Sequence, residues 1–531
     1  MKLNCTLLNS ILLSCTFLIT FKASSQSVNT QDSLALVDIY NNTGGLNWTS
    51  NTNWLTTQPV STWFGVTVAG GRVTQLIEYS NNLTGTLPSS IGRLTGLQLL
   101  SLGFNNLSGS IPDSIGNLSS LQTLLLTFNQ FTGTIPETIS NLHNLIELDL
   151  YKNQLSGTIP QSLARLTNLT NLELQYNNLT GNIPDSIFTM HALVNLQLEY
   201  NQLSGHLSPL IGRLSNIVIL YLQNNQFSGP IPDSLCNLPL LSDLDLSNNQ
   251  FSGSIPANFG NLTNLHDLWL FNNQLSGKLP ASFGNLTNLN ALSVANNKLT
   301  GNLTGFKNLT GLGSFDISYN RFSQTTNIAF DASQFPYLRT IIMNNNAFTF
   351  SGLEALLTTY HYKCTYSPQA PIKVHNNGSA LSVSAGGTLS NNTYTWYKVG
   401  TSGSTVITGD SVFHPASSGQ YYVWVKNSIA VKLTLKSDTV NYTMPVAKAG
   451  SNSATVSFYP NPAKNNLLIN GLDAAVKNTL NVTDASGHVY LSVEVKKSSA
   501  YNLNISSLHA GNYLLTIESN TTVRSYNFIK E

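Results

Sequence analysis

A unit of 24 residues recurs ten times in unbroken register, starting at Val73, Leu97, Leu121, Leu145, Leu169, Leu193, Ile217, Leu241, Leu265 and Leu289. Two irregular copies follow from Leu312 and Leu338. Each copy reads roughly L-x-x-L-x-L-x-x-N-x-L-x-G-x-I-P-x-x-I-G-x-L-x-x. Self-similarity at a fixed period predicts a stacked solenoid, because no single unit can bury its own apolar side. The alternation in Leu148-Asp149-Leu150 predicts a short, half-buried strand in each unit. The expected fold is an α/β-type solenoid, a horseshoe whose parallel strands line a concave face. An Asn stands at a fixed offset from Asn81 through Asn177 to Asn346, and a stacked column of amides can satisfy the backbone of a tight turn. Gly recurs from Gly85 to Gly301, permitting conformations that a side chain would forbid. A Pro column from Pro88 to Pro280, interrupted at Ser208, stiffens the convex side; Thr304 breaks it next.

These residues resemble the plant-type leucine-rich repeat with its N-L-S-G-x-I-P signature, over residues 73–362. The stretch from Trp54 through Trp63-Phe64-Gly65-Val66 to Arg72-Val73 resembles that family's N-terminal cap. The plant cap usually carries a cysteine pair where Ser61 and Val68 stand here, so this cap must hold by packing alone. In plants such domains recognise peptides, hormones or foreign enzymes. The resemblance therefore implies a binding protein and not an enzyme, with an extracellular protein or glycan as partner. An inhibitor of a foreign wall-degrading enzyme is the alternative.

The remainder divides into further segments. Residues 1–25 read as a signal peptide: Lys2, an apolar run from Leu7 to Phe21, then Ala23-Ser24-Ser25. Leu12-Leu13-Ser14-Cys15 is a weaker match to a lipoprotein box, because the apolar run continues past it. Residues 26–72 form the cap and 73–365 the repeats with their C-terminal cap. Residues 366–442 alternate apolar and polar residues in short runs, predicting a small β-sandwich. Thr395-Trp396-Tyr397 and Ser418-Gly419-Gln420-Tyr421-Tyr422-Val423 resemble an immunoglobulin-like fold without its disulfide and suggest a spacer. Residues 443–452 read as a linker. Residues 453–531 carry Tyr459-Pro460-Asn461-Pro462, Asp484-Ala485-Ser486-Gly487 and Leu508-His509-Ala510-Gly511-Asn512-Tyr513. That order resembles the C-terminal sorting domain of the type IX secretion system of the phylum Bacteroidota. The resemblance implies a second all-β sandwich and export by that machinery. Removal of the domain would follow, with release or covalent attachment to surface polysaccharide. On a bacterial protein, N-x-S/T triplets such as Asn117-Leu118-Ser119 are repeat consensus and not glycan sites.

Charge is sparse and uneven. Residues 73–362 carry 15 acidic and 9 basic side chains, 15 − 9 giving a net of −6; residues 366–531 carry 7 and 12, a net of +5. No basic face suited to nucleic acid is present. No run after the signal approaches the ~20 apolar residues of a membrane span. Cys5 and Cys15 leave with the signal peptide, while Cys236 and Cys364 lie too many repeats apart to bridge.

The candidate ligand surface is the concave face. A column ahead of the Asn ladder reads Phe104, Phe128, Lys152, Tyr176, Tyr200, with Tyr151 beside it and Tyr221, Trp269 and Phe271 further along. Aromatics in exposed places mark binding hot spots; alternatively the column packs only onto itself. Glu147 and Asp149 point the same way from one strand, with Glu173 and Glu199 in the following repeats. Asp243, Asp245 and Asp267 repeat the pattern. These acids read as ligand contacts or a polar face, as a Ca²⁺ site, or as a glycosidase-like pair. No other cofactor is implied. The nine histidines are scattered, and no nucleophile elbow, phosphate loop or zinc spacing occurs. A hydroxyl ladder from Thr84 and Ser108 to Thr300 offers a last reading, ice or crystalline polysaccharide binding.

Overall fold

The computed structural model describes residues 28–303, 308–323, 335–360, 363–444, 456–484, 488–519 and 523–531. The signal peptide, Thr304 and most of the linker lie outside them, as does Ala485-Ser486-Gly487. The chain forms two compact units, which divide after Met444.

The first unit is a solenoid with a sandwich attached. Its spine is a fourteen-stranded sheet, parallel except at its first pair. Neighbouring strands keep the sequence register, so that Leu148, Leu172 and Leu196 lie side by side and fully buried. The Asn column fixes that register. The Asn177 amide donates to the carbonyls of Leu150 at 3.0 Å and Leu174 at 3.1 Å, while its oxygen accepts from the Leu155 N–H at 3.0 Å. One side chain thus satisfies backbone groups of two successive repeats. The same three-way pattern recurs at Asn129, Asn225 and Asn273. Past the Asn, short strands form smaller parallel sheets of three and eight strands. Gly85 turns there with φ +79°, and a Cβ would stand 2.3 Å from the Asn42 carbonyl oxygen.

The N-terminal cap holds without a disulfide. Helix α1 (Thr30–Asn42) packs on the first repeat beside the hairpin of β1 (Val66–Ala69) and β2 (Arg72–Ile77). Trp54 sits 4.9 Å from both Trp48 and Trp63 and 5.6 Å from Tyr40, ring centre to ring centre. Fully buried Asp32 takes two hydrogen bonds from the Arg72 guanidinium and one from the Val73 N–H, each at 2.9 Å. Aromatic packing and an ion pair with a buried acid and a half-buried arginine replace the covalent clamp.

At the other end, α2 (Phe350–Tyr360) and the strand Cys364–Thr365 close the sheet. The sandwich that follows is no loose spacer. Glu354 of α2 accepts from the Thr388 N–H and hydroxyl at 2.8 and 2.9 Å and from the amides of Asn391 and Asn427. Apolar packing is continuous from the repeats into the sandwich core, where Trp396 stacks on Phe413 at 5.1 Å. Cys236 and Cys364 are free and buried. The second unit is a small sandwich of three- and four-stranded antiparallel sheets with its own core around Ile469, Leu480, Leu515 and Phe528. Among the described residues, no helix is long and apolar enough to cross a membrane.

Replacing Leu172 by Ala should destabilise the protein by about 2–5 kcal/mol through the cavity left in a tightly stacked ladder. Asn177→Ala should cost about 1–3 kcal/mol through orphaned backbone groups. Thermal unfolding of both variants checks this; parental melting would mean the stack does not depend on these positions.

Candidate functional site

The open face of the long sheet is built from the residues on either side of each strand's buried Leu, as Glu147 and Asp149 flank Leu148, and from those just past the strand end. From Gln75 to Asn296 it presents seven carboxylates (Glu147, Asp149, Glu173, Glu199, Asp243, Asp245 and Asp267) and a single basic side chain, Lys152. Six aromatic rings run along one edge in unbroken contact. Tyr79 lies 5.0 Å from Phe104, which stacks on Phe128 at 4.1 Å. Phe128 meets Tyr151 edge-on at 4.8 Å, Tyr151 meets Tyr176 at 5.4 Å, and Tyr176 stacks on Tyr200 at 4.1 Å. With strands ~4.8 Å apart, the ladder is about 24 Å long. Lys152 reaches back over Phe128 at 4.5 Å. Tyr79, Phe104, Tyr176 and Tyr200 are each 40% or more exposed.

The column does not sit on the strands, as the alternation suggested. Phe104, Phe128, Lys152, Tyr176 and Tyr200 lie just past the strand ends with φ between 50° and 57°. Side chains rarely take this left-handed conformation, which costs roughly 1–2 kcal/mol in an ordinary residue. Later repeats fill the same slot with Asn224, Asn248, Asn272 and Asn296, the residue type that tolerates it best. Aromatic rings are thus held here against a local backbone penalty. Sequence reading missed Tyr79; its place beside the ladder, in the same column as Tyr151, was the available signal. Trp269 and Phe271 meet each other at 6.4 Å and form a separate patch. Tyr221 is half-buried and pairs in register with Asp245.

The acids crowd behind the rings. Glu173 lies directly across from Asp149. Burial, then the charge of Glu173, pushes the Asp149 carboxyl up to about 8. Burial raises Glu199 to about 8 and Asp245 to about 6, and lifts Glu147, Glu173 and Asp267. Several acceptors have no donor: Gln175 Oε1, Asn195 Oδ1, Glu199 Oε2 and Gln223 Oε1 are buried without a hydrogen bond. Below the face, Glu78 fills a core position that Leu holds in the following repeats, and burial pushes it to about 8. One of its oxygens accepts from Asn81 and the other is unpartnered.

Two other readings gain no support. Asp243 pairs with Asp267, and Asp245 with Trp269. Among the described residues, no group of three His, Cys, Asp or Glu side chains is placed to hold a metal ion. Asp243, Asp245 and Asp267 thus do not form such a group. The hydroxyl ladder is turned onto its own sheet: Ser108, Ser156, Thr180, Ser276 and Thr300 donate to glycine carbonyls one repeat back, at 3.1–3.3 Å.

Comparison with known proteins agrees with this architecture. Residues 75–205 match a family described as a leucine-rich repeat region, and 216–238, 240–262 and 264–286 match single leucine-rich repeats. Residues 457–531 match a secretion system C-terminal sorting domain. No curated protein matches the chain. Among solved structures, the chain resembles the Arabidopsis receptor kinase HAESA ectodomain in complex with an extended IDA peptide hormone ligand. Identity is 32%, covering 60% of this chain and 54% of that one, with TM-score 0.52. It also resembles PEPR1 with AtPEP1 (31%, 64% and 56%, TM-score 0.50) and a TDR receptor (33%, 51% and 47%, TM-score 0.50). The chain spans about half the length of these structures. The sorting domain marks a protein delivered by type IX secretion to the cell surface or beyond.

Buried acids with raised values give stability a definite pH dependence. The unfolded chain releases such protons near the ordinary 4.5, whereas folded Glu78 holds its proton to about 8. Between those values the unfolded state binds fewer protons, so stability declines as pH rises. The melting temperature should therefore be higher near about pH 5 than near about pH 8, and Glu78→Gln should flatten the decline. A flat parental profile would contradict the burial of charge-prone acids.

Proposed function

We propose that this is a secreted recognition protein, not an enzyme, which holds an extended polypeptide segment along the aromatic ladder. The observation that carries the reading is the ladder itself: six rings in continuous contact, four of them exposed, and four of them kept in place despite a left-handed backbone beneath them. Exposed aromatics in such an array supply contact area at little entropic cost.

The chemistry behind the rings sets the ligand's character. Seven carboxylates against one lysine favour a basic segment. The unpartnered acceptors at Gln175, Asn195, Glu199 and Gln223 call for donors, which lysine, arginine and backbone amides provide. A cation arriving beside Asp149 and Glu199 would draw off their protons and restore paired charges. The solved HAESA ectodomain is in complex with a peptide hormone ligand. A neutral glycan is the second reading, since sugar hydroxyls are also donors and pyranose faces stack on rings. An inhibited wall-degrading enzyme is a special case of the polypeptide reading. We further propose a bacterial source in the Bacteroidota. On this view the sorting domain is removed on export, leaving repeats and sandwich outside, either free or attached to surface polysaccharide.

Binding of the full chain to panels of basic, acidic and neutral peptides and of neutral glycans tests the reading. Basic peptides should bind saturably and more tightly at about pH 8 than at about pH 6, with protons released on binding. Tyr176→Asn with Tyr200→Asn, which keeps a residue suited to the left-handed slot, should weaken binding about tenfold or more with unchanged melting. Capture of glycans alone would transfer the site to the second reading, and parental affinity in the double variant would move it off the ladder.

Deleting 453–531 should trap the protein in the periplasm, with the first unit still folded. Cell fractionation and intact mass of the surface form check this. A mature form that keeps Glu531 would contradict removal of the domain.

A further inference from the structure

The sandwich that closes the solenoid carries an aromatic platform of its own. Its larger sheet contains the strands Asn392–Lys398, Ser404–Thr408, Gly419–Asn427, Thr434–Lys436 and Val440–Tyr442. One face is core, where Tyr394, Trp396, Tyr421, Val423, Val425 and Leu435 are buried. By strict alternation the other face points outward, and there the expected polar side chains give way to rings. Tyr397 lies directly across from Tyr422, and the two rings stack 4.9 Å apart with only 12° between their planes. Trp424 stands 5.0 Å from Tyr397 and is 36% exposed. Val406, on the neighbouring strand, is 61% exposed.

The surroundings of this patch are polar and one-signed. Lys436 pairs in register with Trp424 and places its ammonium 4.8 Å from the ring centre. Lys426 is exposed on the same outward face. Thr393, Thr395, Ser404, Thr408, Gln420 and Thr434 supply hydroxyl and amide groups, and no outward residue of these strands is acidic. The apolar patch exposes of order 200 Å², given rings that offer roughly 150–250 Å² each when free. That is well below the ~800 Å² per partner of a stable protein interface. It does suit a pyranose unit, which has one apolar C–H face for a ring and equatorial hydroxyls for a polar fringe. Among the described residues neither lysine is in an ion pair, and two such ammonium groups select a sugar that carries negative charge.

We propose that the outward face of this sheet is a second binding site, for a polysaccharide bearing carboxylate groups, with Tyr397, Tyr422 and Trp424 as stacking surface and Lys426 and Lys436 as its charge contacts. It is independent of the concave ladder and of whatever that ladder binds.

The test is binding of the purified full chain to immobilised polygalacturonate, with pullulan as neutral polysaccharide and polyglutamate as non-sugar polyanion. Saturable binding to polygalacturonate, at least about tenfold stronger than to either control, is expected and should weaken with salt. Lys426→Gln with Lys436→Gln, both solvent-facing, should reduce that binding about tenfold without changing the melting temperature. Tyr422→Ala with Trp424→Ala should abolish it, while Tyr176→Asn with Tyr200→Asn should leave it intact. Absence of polygalacturonate binding, equal binding to polyglutamate, or parental binding by the lysine pair would each overturn the proposal. Loss of binding in the concave variant would do so too, by moving the contact to the ladder.

Discussion

Each repeat is held to the last by an asparagine amide. The side chain of Asn177 does what the backbone of its turn cannot: it bonds carbonyls on two neighbouring strands and an N–H in the turn of the repeat before. Without that bridge, the tight turn after every strand would leave buried carbonyls and an N–H unpaired, a cost of about 1–3 kcal/mol per group. With it, every repeat is obliged to sit one strand spacing from the last, in register. The buried Leu ladder, the open face and the aromatic row are consequences of that single spacing. Rings that are 24 residues apart in the chain arrive 4.1 Å apart in space.

The architecture was legible because its causes are local and repeated. The period, the Leu alternation and the Asn offset give the strand register residue by residue, and the pairing of Glu173 with Asp149 follows from counting. The site was only partly legible. Phe104 and Tyr200 could be placed on one column, but not in a left-handed turn, because the consensus Asn that announces such a turn is the residue they displace. The acid triplet was legible only in part. Counting along the strands places Asp267 across from Asp243, with Asp245 two residues on, but whether three carboxylates turn toward one point depends on side-chain directions that no period encodes. Contacts between distant segments carried no periodic signal at all. Nothing around Glu354 announces that Thr388, Asn391 and Asn427 will surround it.

The chemistry of the face follows from its dryness. A carboxylate in water would not trouble its neighbours, but Asp149 and Glu199 are desolvated by burial on the same face that carries the rings. Apolar surface and suppressed charge are therefore two sides of one arrangement. The face stores a reluctance to ionise that only a suitably charged visitor relieves. This separates it from the sandwich platform, where rings lie beside exposed lysines.

Stacked arrays ordinarily come apart from their ends, where a terminal unit has a neighbour on one side only and can peel away alone. Here neither end is free to do so. The tryptophans around Trp54 seal the first repeat, and the sandwich is bonded through Glu354 onto the last helix. A chain without a soft terminus must open somewhere in its middle or everywhere together. Opening in the middle breaks two interfaces at once, which couples the repeats between the two caps more tightly than fraying from an end would. A lesion at one repeat is felt along the whole array.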